Sequence, residues 1–148
     1  MTVPPVVDLL LIEDNPNDLE LTLRALKRQG LADKVFSVKD GAEALDYIFQ
    51  TGAFAGRPLS APPKVVFIDL KLPKVTGIEV LRKMKSDDRT RSWPAVILTS
   101  SRQERDLLET YQLGANSYVV KPVDYDQYAA AIGDLGRYWL LLNQRPLR

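Results

Sequence analysis

The chain predicts an α/β fold: a doubly wound sheet of five parallel strands, in the order 2-1-3-4-5, with helices on both faces. Three observations support this. Short apolar runs alternate with amphipathic stretches five times along the sequence. The runs are apolar on consecutive residues, as strands buried on both faces are. Each run ends in polar residues or a turn, where ligand chemistry sits in open α/β sheets. The clearest case is Val65-Val66-Phe67-Ile68, which stops abruptly at Asp69 and is followed by a turn at Pro73.

Val6 to Ile12 reads as the first strand, ending in Glu13-Asp14-Asn15-Pro16. Asn15 suits an N-cap and Pro16 the first helical position, so a helix follows with Leu19, Leu23 and Leu26 on one stripe, stopping at Gly30. Lys34 to Val38 is a short second strand. Asp40-Gly41 turns the chain, and Ala42, Leu45, Ile48 and Phe49 mark the apolar stripe of a second helix. Residues 51–63, with three prolines and two glycines, read as one long surface loop. Beyond the third strand, Pro73 and Gly77 bracket a turn into a helix marked by Ile78, Leu81 and Met84. Ala95 to Leu98 is the fourth strand, ending at Thr99, and a polar helix from Arg102 to Leu113 stops at Gly114. Ser117 to Val120 is the fifth strand, ending at Lys121-Pro122. Asp124 caps a last helix running to about Leu142. Its stripe Tyr128, Ile132, Leu135, Trp139 and Leu142 should be core.

Composition narrows the chemistry. The 148 residues suit one domain, with a core from about residue 6 to 142. The net charge of +1 gives no reason to expect nucleic acid or an anionic membrane as partner. There is no cysteine and no histidine, which removes thiolate and imidazole chemistry; catalysis is left to carboxylates, Lys, Arg, hydroxyls or a metal held by oxygen. No apolar segment is long enough to span a bilayer, and the N-terminus lacks the basic region of a signal peptide, so a cytoplasmic location is expected.

In the order 2-1-3-4-5 the first and third strands are neighbours, which crowds Glu13, Asp14 and Asp69 together. Close carboxylates raise one another's pKa unless compensated, and a hard divalent cation such as Mg²⁺ is the natural compensation. The set suits phosphoryl transfer to Asp69, with Lys121 and Thr99 taking charge on the transferring group.

These residues resemble the receiver domains of two-component response regulators. The motifs are Glu13-Asp14, Asp69 with Leu72-Pro73 and Gly77, Thr99, and Gly114-Ala115-Asn116-Ser117-Tyr118 leading into Lys121-Pro122. The resemblance spans nearly the whole chain, Val6 to Leu142. It implies that Asp69 is phosphorylated by a histidine kinase. The metal, Mg²⁺ or in its place Mn²⁺ or Ca²⁺, would be held by Glu13 (through water), Asp14, Asp69 and the Lys71 main-chain carbonyl. Thr99 and Tyr118 would form a switch pair, and the Lys121–Pro122 bond would be cis. The proline-rich loop and the tail Arg137-Tyr138-Trp139-Leu140 resemble the small single-domain regulators paired with phytochromes, making a bacteriophytochrome the expected kinase. Lys71, two residues past Asp69, departs from the usual neutral or polar side chain, and with Ser101 it is expected to tune water access.

No second domain is expected, so the output should be a protein contact. A second stripe on the last helix, Tyr125, Ala129, Gly133, Gly136 and Leu140, suits close approach of a partner and predicts a homodimer. Two rival functions stand beside this reading. A Mg²⁺-dependent phosphatase with an aspartate nucleophile would want a second Asp where Lys71 stands. An adaptor that never takes phosphate would not need the full set of Glu13, Asp14, Asp69, Thr99 and Lys121.

Overall fold

The computed structural model describes residues 3–57 and 61–145. Five parallel strands, β1 (Leu9–Ile12), β2 (Val35–Val38), β3 (Val65–Ile68), β4 (Ala95–Thr99) and β5 (Ser117–Val120), form one sheet in the order β2-β1-β3-β4-β5. The helices are α1 (Pro16–Arg28), α2 (Gly41–Phe49), α3 (Gly77–Ser86), α4 (Glu104–Leu113) and α5 (Tyr125–Arg137). The strands' period of two divides the core into two layers. Leu10, Ile12, Val66, Ile68, Ala95 and Ile97 pack with residues of α2 and α3, while Leu9, Leu11, Val65, Phe67, Val96 and Leu98 pack with α1 and α5.

The helix starts follow the capping residues. Asn15 Oδ1 accepts from the amides of Asn17 and Asp18, Asp40 Oδ1 from Glu43, and Asp124 Oδ2 from Gln127. Each satisfies donors that the first helical turn leaves unpaired. In α2 the deepest side chains are Ala44, Tyr47 and Ile48; of the predicted stripe Ile48 is buried, while Ala42, Leu45 and Phe49 are only partly buried. The first part of the loop after α2, up to Arg57, is packed against the core. A 3-10 turn at Gly52–Phe54 packs Phe54 edge-on against Phe36 and Tyr47, and the Arg57 guanidinium lies over the Tyr47 ring.

The C-terminal segment corrects two expectations. After α5 the chain makes a π-helical turn at Tyr138–Leu142, closed by the Asn143 amide donating to the Tyr138 carbonyl at 2.7 Å. The wider turn slips the helical phase. Trp139 and Leu140 are therefore both buried, whereas Leu142, predicted as core, is 69% exposed. The stripe proposed as a dimer face is also mostly used within the chain. Gly133, Gly136 and Leu140 are buried, Ala129 packs on the α1–α5 layer, and only Tyr125 is exposed. A Cβ on Gly136 would lie 2.8 Å from Leu26 Cδ2, so the small residue admits α1 of the same chain.

Candidate functional site: a carboxylate cluster around one ammonium

Three strands deliver charge to one edge of the sheet. β1 and β3 are paired with Ile12 opposite Ile68, so the residues that follow them, Glu13 and Asp69, emerge side by side. β5 ends one residue before Lys121, whose amide donates to the Thr99 carbonyl at 2.7 Å. Close backbone packing fixes the loop after β3. Gly77, the first residue of α3, lies so near Asp69 that a Cβ would meet the Asp69 carbonyl oxygen at 2.0 Å, so no larger residue fits without moving that strand end.

Lys121 is the centre of the site. Its Nζ donates to Glu13 Oε1 at 2.6 Å, Asp69 Oδ2 at 2.7 Å and Asp18 Oδ2 at 2.8 Å, one carboxylate for each of its three protons. Burial works against the charge on Lys121, but the hydrogen bonds to Asp18, Asp69 and Glu13 outweigh it and raise the pKa above the ordinary lysine value. The ammonium is therefore firmly protonated. Burial pushes the Glu13 carboxyl up to about 7, against the opposing pull of Lys121 and with Asp69 adding to the rise. The cluster is short of positive charge.

Ligand oxygens of Glu13, Asp14 and Asp69 all lie within 4.8 Å of one another. Glu13 and Asp69 are buried and Asp14 is exposed, giving an open mouth over a buried floor. This set of hard oxygen donors fits a divalent cation such as Mg²⁺ or Mn²⁺, which takes carboxylate oxygens and keeps water for its remaining positions. Lys71 enters the site through its amide, which donates to Asp69 Oδ1 at 3.2 Å.

Thr99 is fully buried at the end of β4, where its Oγ1 accepts from the Ser101 amide at 3.4 Å. Tyr118 is partly buried, and its hydroxyl donates to the Ser101 carbonyl at 3.0 Å. Ser101 Oγ donates in turn to Asp106 Oδ2 at 2.6 Å, so one short loop links Thr99, Tyr118 and α4. Among the described residues no peptide bond is cis. The expected cis bond before Pro122 is therefore corrected to trans, the form an X–Pro bond favours by roughly 0.5–1 kcal/mol; Lys121 reaches all three carboxylates from it.

The structure thus brings Glu13, Asp14, Asp69 and Lys121 together, with Thr99 and Tyr118 joined through the neighbouring loop. Asp18 and Asp106 are additions that the sequence reading missed. A faint signal existed for Asp18: it lies four residues after Asp14, in the first turn of a helix whose cap borders the site.

A family model of the response regulator receiver domain matches residues 9–133. The chain belongs to that family. Rcp1 of Synechocystis sp. is 31% identical over 137 residues, covering 93% of this receiver and 90% of Rcp1. The solved Mn(2+)-bound form of Rcp1 superposes on this receiver with a TM-score of 0.87 at 30% identity, over 96% of this chain and 99% of that one. The phosphorylated cyanobacterial phytochrome response regulator RcpA gives a TM-score of 0.87 at 33% identity, covering 95% of this chain and 99% of RcpA. The bacteriophytochrome response regulator AtBRR is 53% identical with a TM-score of 0.73, over 95% of this chain and 100% of AtBRR. No helix among the described residues is long and apolar enough to cross a membrane.

Proposed function

We propose that this receiver accepts a phosphoryl group on Asp69 from a phytochrome-type histidine kinase and signals through protein contacts. The observation that carries the reading is the Asp69 carboxylate lying 2.7 Å from a buried, protonated Lys121, within a carboxylate trio suited to a dication. An Asp69 oxygen attacks phosphorus, the O–P bond forms, and the bond from phosphorus to the kinase histidine breaks, leaving the electron pair on that imidazole. Asp69 is turned for this by the Lys71 amide. Lys121 then exchanges a carboxylate for a phosphoryl oxygen, which keeps its charge paired. The Thr99 hydroxyl leaves the Ser101 amide to donate to another oxygen. Asp14, Asp69 and the Lys71 main-chain carbonyl, with Glu13 through water, would hold a dication such as Mg²⁺, which would supply positive charge beside the transferring group.

The phytochrome assignment draws on the relatives: RcpA is a cyanobacterial phytochrome response regulator and AtBRR a bacteriophytochrome response regulator. The output follows the Ser101 loop. When Thr99 moves, the loop that receives the Tyr118 hydroxyl moves with it, and α4 is the element best placed to respond. Only Thr110 of that helix is buried, while Leu108 and Tyr111 are exposed. Thr99→Val should leave Asp69 phosphorylated and uncouple it from any change in assembly. A homodimer through the C-terminal segment belongs to the same reading, with the exposed Tyr138, Leu141 and Leu142 as its face in place of the glycine stripe. Sedimentation across a concentration series checks it, and a monomer at tens of micromolar overturns it.

The testing experiment is phosphotransfer from an autophosphorylated bacteriophytochrome kinase to the wild type and to Asp69→Asn. Label should pass to the wild type alone. Transfer to both, or to neither while another class of kinase succeeds, contradicts the residue or the partner respectively.

A further inference from the structure

Lys121 has three protons and three carboxylate partners, and the partners are not equivalent. Glu13 and Asp69 also belong to the trio that suits a dication, whereas Asp18 does not. Its side chain is 28% exposed, against 2% for Glu13 and 10% for Asp69, so it keeps contact with water while bonding the ammonium. It stands in the first turn of α1, on the wall of a cavity of about 280 Å³ shared with Ser100, Lys121, Pro122 and Tyr128. A dication and the ammonium compete for the same lone pairs on Glu13 and Asp69. Asp18 holds the one proton of Lys121 that this competition does not touch.

We propose that Asp18 is a positioning residue that anchors Lys121 and, by sharing its charge, releases Glu13 and Asp69 to a divalent cation. The proposal rests on the metal-binding reading above. Without the Asp18 carboxylate, the third N–H loses a charged acceptor and the ammonium leans on the remaining two carboxylates. Metal affinity then falls through Lys121. Asp18 also attracts a dication directly, but that contribution does not need Lys121, so the two routes separate in a double-mutant cycle.

The experiment is calorimetric titration of Mn²⁺ into the full chain carrying Asp18→Asn, Lys121→Met, both, or neither, with thermal unfolding of each to confirm folding. Asp18→Asn should weaken Mn²⁺ about three- to tenfold with Lys121 present, and less than about twofold in the Lys121→Met background, in the range of couplings between residues sharing one network. Asp18→Glu, which keeps the carboxylate, should restore most of the affinity, and Asp18→Ser substitutes for Asp18→Asn if that variant does not fold. An equal loss in both backgrounds, or no loss in the first, overturns the proposal. If the wild type binds no Mn²⁺, the metal-binding reading fails and the proposal with it.

Discussion

Two lysines stand at opposite ends of the strands in contrasting surroundings, Lys121 buried and Lys85 partly buried. Lys121, at the C-terminal edge of the sheet, meets three carboxylates. Lys85, at the N-terminal edge, meets none among the described residues: its Nζ donates to the carbonyls of Arg91 and Trp93 at 3.0 and 2.6 Å and to Asn116 Oδ1 at 3.4 Å. Carboxylates hold the first ammonium above the ordinary lysine value, while burial pushes the second down to about 8. Lys85 ties the loop before β4 to the loop before β5, and Asn116 extends the tie by accepting from the Ala95 amide. Withdrawal from water therefore does not by itself mark a functional lysine. What separates the two is an excess of negative charge that a reaction can use.

The largest expected effect sets one lysine directly against the other. Lys121→Met should slow phosphorylation by acetyl phosphate on the order of 10²-fold, the scale for removing one donor to developing charge. Lys85→Met should leave that rate within about twofold. Comparable losses in the two variants would break the contrast.

Glu13 sharpens the comparison from the acidic side. Its folded pKa of about 7 lies above the ordinary 4.5, because burial opposes its charge. The folded state thus binds the proton more tightly than the unfolded state does. The stability this gives is fully present below pH 4.5 and is lost as pH rises through 7. In protein freed of divalent metal, the wild type should lose stability relative to Glu13→Gln between pH 5 and 8, by something on the order of 2 kcal/mol. Denaturant unfolding of both proteins at each pH measures it, and a constant difference would contradict the assignment.

Lys85 gives the smaller effect, with the sign set by a depressed cation. Between pH 8 and 10.5 the unfolded chain holds a proton that the folded chain has released. The wild type should therefore gain on Lys85→Met as pH rises through that window. Solvent contact holds the gain to the order of 1 kcal/mol. A flat difference would show that the carbonyl cage fully replaces water for this ammonium.

The sequence made one of these sites visible and concealed the other. Glu13, Asp14, Asp69, Thr99 and Lys121 stand at or just beyond strand ends, and strand ends follow from apolar runs that a reader can count. Lys85 looks like any lysine near the end of an amphipathic helix; only folding supplies the three oxygens around it. Asp18 was hidden for a related reason, since an acidic residue in the first turn of a helix already has an ordinary explanation in the helix dipole. The glycines of α5 correctly signalled a close approach, but the helix that uses it is α1 of the same chain. Periodicity also could not foresee the π-helical turn that brings Leu140 inward and turns Leu142 out, because extrapolating a stripe assumes constant pitch.

The most direct measurement is the intact mass of the wild type and of Asp69→Asn after incubation with acetyl phosphate, in Mg²⁺ and in excess chelator. A gain of one phosphoryl group on the wild type in Mg²⁺, absent from Asp69→Asn and from the chelated sample, is the predicted result. An unchanged mass in Mg²⁺, or the same gain on Asp69→Asn, would contradict it.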